Sequence, residues 1–263
     1  MQITATIYKG VRFKRKSHRF GKRKWKVAVV GYCAAGIAGL FALNVIYQVV
    51  RKPGEVLAPF SASFAKSPVA TWRSYGALFE EHSTNIISAE FLAALAQVES
   101  DGNPIASTYW RWQWSWNFFD IYRPASSAVG MFQITDGTFT EARRYCIHDH
   151  KVVAEGPWHD PNSCWFNSLY TRSVPSHAVE MTAAYLHRGV AGTLAALPGV
   201  KTSPAQKQKL AAVIHLCGLS RGKKFAARGF RPAPGERCGA HSLQRYLIKI
   251  EQMKKRFAQQ RGT

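Results

Sequence analysis

The feature that most constrains this chain is an uncharged apolar run from Val27 to Val50, bounded by Lys26 before it and Arg51-Lys52-Pro53 after it. At ~1.5 Å of rise per residue such a helix is about 36 Å long, which crosses a bilayer core of ~30 Å with some tilt. Tyr32 and Tyr47 stand near its ends, where amphipathic rings prefer the membrane interface. A cleaved leader would have a shorter apolar core and a small-residue cleavage site. A lipid-modified cysteine would need a small residue before it, and Tyr32 precedes Cys33. Gly31, Ala35 and Gly39 recur at four-residue spacing, a pattern that favours helix pairing, but small residues are common in spans generally.

Charge orients the span. Residues 1–26 carry ten Lys or Arg and no acid, and every Asp or Glu lies at or beyond Glu55. By the positive-inside rule, 1–26 is a basic cytoplasmic tail, 27–50 a single transmembrane helix of the inner membrane, and the rest is exported to the periplasm. Beyond the tail, 26 basic residues still face 15 acidic ones, which suits attraction to acidic envelope polymers. Phe13, Phe20 and Trp25 interleave with the basic arm as they would in a nucleic-acid binder. The adjoining span makes topology and anionic lipid headgroups the better account of that arm, and argues against nucleic acid as a partner.

Cysteine placement agrees with export. Cys33 is in the span, while Cys146, Cys164, Cys217 and Cys238 all follow it. Four cysteines in an oxidising compartment allow two disulfides with three pairings. Cys146–Cys164 and Cys217–Cys238 are the expected pairs, since each closes a stretch without strong patterning. Zinc is the rival reading, but no CxxC or HxxxH pair is present, and no metal or organic cofactor is implied.

Residues 51–70 are rich in Pro, Ser and Ala and read as a linker; residues 71–263 form one mostly α domain. Helices are expected from Thr71 to His82, from Ser88 to Ser100 with Ser88 as N-cap, after Asp136-Gly137, from Ser176 to Val190, from Ser203, and from His241 to Gln260. Ser203-Pro204-Ala205-Gln206 has the cap, first-turn proline and Gln of a capping box. In the second helix Phe91, Leu92, Leu95 and Val98 mark one apolar face; in the last, Leu243, Leu247, Ile250 and Phe257 do so.

Glu99 stands at the end of the second helix, just before Asp101-Gly102-Asn103-Pro104. A carboxyl there can project from a rigid element into a cleft, although a Glu near a helix end is ordinarily a solvated charge. Its surroundings decide the matter. Ala96-Gln97-Val98-Glu99-Ser100-Asp101-Gly102-Asn103-Pro104 resembles the first motif of the soluble-lytic-transglycosylase family, in the lysozyme-like superfamily, where Glu-Ser ends a helix and Asn-Pro follows. Ser127-Ala128-Val129-Gly130-Met131-Phe132-Gln133 is similar to the family's Gly-Ala-x-Gly-Leu-Met-Gln, with Ala128, Gly130 and Gln133 in register. Ala183-Ala184-Tyr185-Leu186 resembles the Ala-x-Tyr-Leu helix, and Ala211 to Gly218 the Ala-Tyr-Asn-Ala-Gly helix end. His215 stands there in place of Tyr, and Leu216-Cys217 in place of Asn-Ala.

The resemblance implies a mainly α, lysozyme-like transglycosylase domain behind a single N-terminal transmembrane helix. It implies cleavage of the MurNAc–GlcNAc β-1,4 bond of peptidoglycan with formation of 1,6-anhydroMurNAc ends. Glu99 would be the general acid and base. Glycosidases usually employ two carboxylates; here the substrate's N-acetyl group and the muramyl C6 hydroxyl would take the place of the second. A general acid must hold its proton near neutral pH, which burial against apolar walls favours. Met131 and Phe132 are candidates for that wall. Gly130 would let the backbone approach the sugar, Gln133 would match an acetamido group, and Ser100, Tyr185 and His215 would complete the substrate contacts. The rival enzyme is a lysozyme-type hydrolase using Asp120, Asp136 or Glu180 as second carboxylate. A different class of function is a catalytically weak peptidoglycan-binding component of a secretion or conjugation apparatus.

One insertion lies outside these motifs. Trp110, Trp112, Trp114 and Trp116 alternate with polar residues, so an extended segment would put all four on one face. Trp supplies large buried area, so clamping of the insertion onto the core is the leading expectation for most of them. A stacking platform for sugar rings is the alternative.

Overall fold

The computed structural model describes residues 19–52, 60–157, 159–197 and 199–261. Most of the expected basic tail, and residues 53–59 of the linker, lie outside the described residues. The chain divides into two compact units, residues 1–47 and 48–263.

Helix α1 (Arg19–Arg51) contains the apolar stretch Lys24–Val50, the one helix among the described residues long and apolar enough to cross a membrane. Its Trp25, Val27, Val30, Tyr32 and Ile37 side chains are exposed.

The second unit is mostly helical. Helix α2 (Pro68–Glu81) starts on a Ser67 hydroxyl that accepts the Ala70 N–H, with Pro68 in the first turn. Helix α3 (Ala89–Ser100) is capped by Ser88, whose hydroxyl accepts the Phe91 N–H. Asp101 and Gly102 end it in left-handed conformation, and their N–H groups close onto the Gln97 and Ala96 carbonyls. Burial of α3 extends well beyond the expected stripe. Ala93, Ala94 and Ala96 are as inaccessible as Phe91, Leu92 and Leu95, because small side chains let α2 and α8 approach from other sides. The helix is the axis of the domain, which explains how it can hold a carboxylate rigidly at its end.

Strands β1 (Trp110–Trp112) and β2 (Tyr122–Pro124) form a short antiparallel ribbon. Helix α4 (Asp136–Ala142) follows, capped by Thr135. A second hairpin, β3 (Tyr145–His148) with β4 (Lys151–Ala154), turns through Asp149 and His150, both at positive φ. Buried Glu180 of α5 (Pro175–Ala195) accepts the Ile147 N–H at 2.8 Å and the Tyr170 hydroxyl at 2.6 Å, pinning that hairpin to the helix. Helix α6 (Pro204–Cys217) carries the expected capping box, with Ser203 and Gln206 each bonded to the other's backbone. Gly218, at φ +80°, breaks the helix and admits a helix beyond those expected, α7 (Leu219–Ala227). A two-residue ribbon, β5 (Arg237–Cys238) with β6 (His241–Ser242), leads into α8 (Leu243–Arg261).

The remaining helices fall within a few residues of their expected bounds. Cys146 lies at disulfide distance from Cys164, and Cys217 from Cys238, with Cα separations of 5.5 and 5.4 Å. Their loops differ in consequence. The second ties the end of α6 to the ribbon that starts α8, and both α6 and α8 reach the end of α3.

Candidate active site

A cleft of about 630 Å³ opens beside the C-terminal end of α3. Glu99 lies in its wall with Val98, Gln133, Leu216 and Tyr246, and the β6–α8 segment supplies His241, Ser242, Arg245 and Lys249. Glu99 is the one carboxylate among the described residues that line it.

Three helices converge on that carboxyl group. Its side chain is 16% exposed, so it reaches the cleft while sitting against protein. From α8 the Tyr246 hydroxyl donates to Glu99 Oε1 at 2.5 Å. Burial, with the neighbouring carboxylate, pushes the Tyr246 phenol well above its usual range, so it remains a donor. From α6, His215 Nε2 stands 3.6 Å from the same oxygen, too far for a good hydrogen bond. Burial lowers the affinity of His215 for a proton, against the opposing pull of Glu99 and a hydrogen bond with the Phe132 backbone. Burial thus favours the neutral imidazole at this contact.

The second motif frames the cleft through its backbone. Gly130 is at φ +81°, and a Cβ there would stand 2.2 Å from the Arg172 carbonyl oxygen. The glycine thus lets two protein segments meet, where the sequence had suggested room for a sugar. Gln133, also left-handed at φ +47°, lines the cleft, and its Nε2 donates to the Ala106 and Gly130 carbonyls at 3.2 and 3.0 Å. Met131 and Phe132 are fully buried in the core, behind the cleft surface. Ser100 Oγ reaches the Met131 carbonyl at 2.9 Å, which fastens the end of α3 to this loop. Tyr185 is not brought to Glu99. It lines a separate cavity of about 240 Å³ with Glu141 and Arg188.

The carboxylates considered as a second catalytic group are engaged elsewhere. Asp120 pairs with Arg123 at 3.3 Å, Asp136 with Arg172 at 2.8 Å, and Glu180 pins the β3–β4 hairpin. Tyr246 is the residue that motif reading missed. A signal was present: Tyr246 lies three residues after Leu243 and four before Ile250, on the face those residues bury.

The expected clamping of the tryptophans onto the core does not hold: the first two pack within the ribbon itself, and Trp112 is 65% exposed. Trp110 and Trp112 pack on Tyr122, with ring centroids 5.2 and 4.6 Å away, but Trp114 and Trp116 are 92% and 97% exposed. The extended register ends at Trp112, so period two does not continue to the later pair.

The family model of the transglycosylase SLT domain matches residues 77–198, a stretch that holds Glu99 and the Gly130–Gln133 loop but stops before His215 and Tyr246. No curated protein matches the chain. The helix-end glutamate, the Gly130–Gln133 loop against it and this match agree: residues 77–198 form a transglycosylase SLT domain, which supports the soluble-lytic-transglycosylase family of the lysozyme-like superfamily and an action on peptidoglycan.

Proposed function

We propose that the protein is a lytic transglycosylase that cleaves the MurNAc–GlcNAc β-1,4 bond with Glu99 as its sole acid and base. The observation that carries this reading is that the cleft has a single carboxylate among the described residues that line it, held by a phenol donor. With Tyr246 on Oε1, the proton of the acid form belongs on Oε2. That proton passes to the glycosidic oxygen as the C1–O bond breaks, and the leaving GlcNAc departs as the alcohol. The muramyl N-acetyl oxygen supports the developing charge at C1. The muramyl C6 hydroxyl then attacks C1, its proton returns to Glu99, and a 1,6-anhydro ring closes without water.

Gln133 suits the acetamido group, since both its amide hydrogens turn to protein carbonyls and its oxygen is left as an acceptor. Arg245 and Lys249, one helical turn apart on α8, give the cleft a cationic wall for the carboxylates of peptide stems. In this reading residues 27–50 hold the protein in the inner membrane, residues 1–26 stay cytoplasmic, residues 51–70 form the link, and the catalytic domain, 71–263, lies in the periplasm.

The test is digestion of purified peptidoglycan by the full chain and by Glu99→Gln, with the fragments resolved by mass. Anhydromuramyl ends that disappear in the variant are expected. Reducing muramyl ends would instead mark a hydrolase, and the absence of cleavage by the folded wild-type chain would mark a binding component.

A further inference from the structure

The β1–β2 ribbon is built to present its end rigidly. The Gln113 N–H donates to the Ile121 carbonyl at 2.9 Å, Arg123 bridges Gln113 and Asp120, and Asn117 caps the short turn at Phe118–Asp120. Its aromatic rings nonetheless face outward. Tyr109 is 73% exposed and Trp112 65%, beside the almost wholly exposed Trp114 and Trp116. Large apolar side chains displayed together on an ordered element mark an interaction surface.

Two contacts within the second unit say what that surface meets. The Gln48 side-chain amide donates to the Phe119 carbonyl, and Lys52 Nζ donates to the Ser126 carbonyl at 2.9 Å. Gln48 and Lys52 belong to the stretch with which the chain leaves its apolar run, which ends at Val50. The aromatic ribbon is therefore held at the place where the chain would emerge from a bilayer. Trp and Tyr concentrate at that depth, because the ring is apolar and its N–H or O–H still reaches water or headgroups. Arg111 in β1 adds a cation suited to lipid phosphates, while Arg123 opposite it is engaged with Asp120.

We propose that Trp114 and Trp116 insert into the headgroup zone of the bilayer and seat the catalytic domain on the membrane surface, a proposal that rests on the reading of residues 27–50 as a membrane span. The domain would then work on glycan close to the membrane, at a fixed height.

The experiment uses the full chain reconstituted in vesicles of phosphatidylethanolamine and phosphatidylglycerol, with and without phospholipid brominated at the shallow acyl positions. Tryptophan emission of the wild type is compared with that of Trp114→Ala/Trp116→Ala. The Trp114→Phe/Trp116→Phe pair keeps the rings and guards against a folding defect. The emission lost in both variants should be blue-shifted and reduced at least about twofold by brominated lipid. A lost component that is water-like and quenched by aqueous acrylamide would overturn the proposal. So would a component indifferent to brominated lipid that shifts only when glycan strands are added, which would make the ribbon a carbohydrate platform. Alkaline carbonate extraction separates the two layers of the argument. Release of the chain from the vesicles overturns the span itself, whereas a retained chain with water-like Trp114 and Trp116 overturns the seating alone.

Discussion

The Tyr246 hydroxyl donates at 2.5 Å to Oε1 of Glu99, a residue 147 positions earlier in the chain. It reaches that oxygen from α8, whereas the motif resemblance leads one to look for a tyrosine on α6, where His215 stands. The phenol is buried and keeps its proton, so it favours one orientation of the carboxyl group. A hydrogen bond to a charged group contributes about 1.5–3 kcal/mol. Tyr246→Phe should therefore lower kcat about tenfold to a hundredfold while KM moves little and the fold is retained. Steady-state kinetics on a defined glycan oligomer checks this. A loss confined to KM would instead give Tyr246 a role in substrate contact.

His215 makes a pH-dependent contribution whose sign is set by burial. In the unfolded chain its imidazole takes a proton near pH 6.5. In the folded chain burial resists that proton more than Glu99 attracts it. Below about pH 6.5 the unfolded state therefore binds more protons, and stability falls as the pH drops toward the folded-state value. Above that window both states are neutral at this residue, and its contribution is flat. His215→Gln should make the stability profile shallower between pH 6.5 and 5.5, by at most about 1.4 kcal/mol per pH unit. Urea unfolding at pH 7.5, 6.5 and 5.5 reads the difference. Some slope will remain in the variant, because burial lowers His82 and His187 as well.

Most of the helical frame was legible because its signals are local. Ser88 and Ser203 each cap with their own side chains, and Pro204 with Gln206 writes the capping box into four consecutive residues. The cysteine pairs were legible for a similar reason, since each closes a short loop. Glu99 was found through a motif, and its neighbours in space were not. Tyr246 and the cationic pair Arg245 and Lys249 come from a helix whose apolar face reads clearly but whose docking on α3 is a tertiary fact. Gly130 shows the same limit. Its need for glycine could be read, but the atom that demands it, the Arg172 carbonyl oxygen, lies 42 residues away in sequence. The alternation of tryptophans promised one continuous face, but the strand ends at Trp112.

Gly130→Ala should be one of the most destabilising small substitutions in the domain. The added methyl would stand 2.2 Å from the Arg172 carbonyl oxygen, and both partners are main chain, so neither can swing aside. Left-handed backbone costs a non-glycine residue about 1–2 kcal/mol, and overpacking about 1–3 kcal/mol more. The sum lowers the melting temperature by roughly 5–15 °C in a domain of this size. Thermal unfolding followed by circular dichroism measures it. A change below about 2 °C would mean that the Arg172 segment gives way more easily than its packing suggests.

The two cysteine pairs should separate stability from activity. Each closes a loop of about twenty residues, with a sequence separation of 18 for Cys146–Cys164 and 21 for Cys217–Cys238, so a disulfide at either stabilises by about 3 kcal/mol on chain entropy. Only the second borders the cleft that holds Glu99. Cys217 follows Leu216 of the cleft wall, and Cys238 precedes Ala240, His241 and Ser242, which continue that wall into Tyr246. Replacing Cys217 and Cys238 by Ser frees the β5–β6 ribbon and loosens the approach of Tyr246 to Glu99. Cys146 and Cys164 tie the β3–β4 hairpin, which does not line the cleft. The two double-serine variants should thus show similar losses in urea unfolding, while kcat/KM falls about tenfold or more only for the Cys217–Cys238 variant. A misplacement of about 1 Å at a catalytic group is enough for a loss of that size. Equal loss of kcat/KM in both variants would show that the cleft senses the stability of the whole domain rather than the tether beside it.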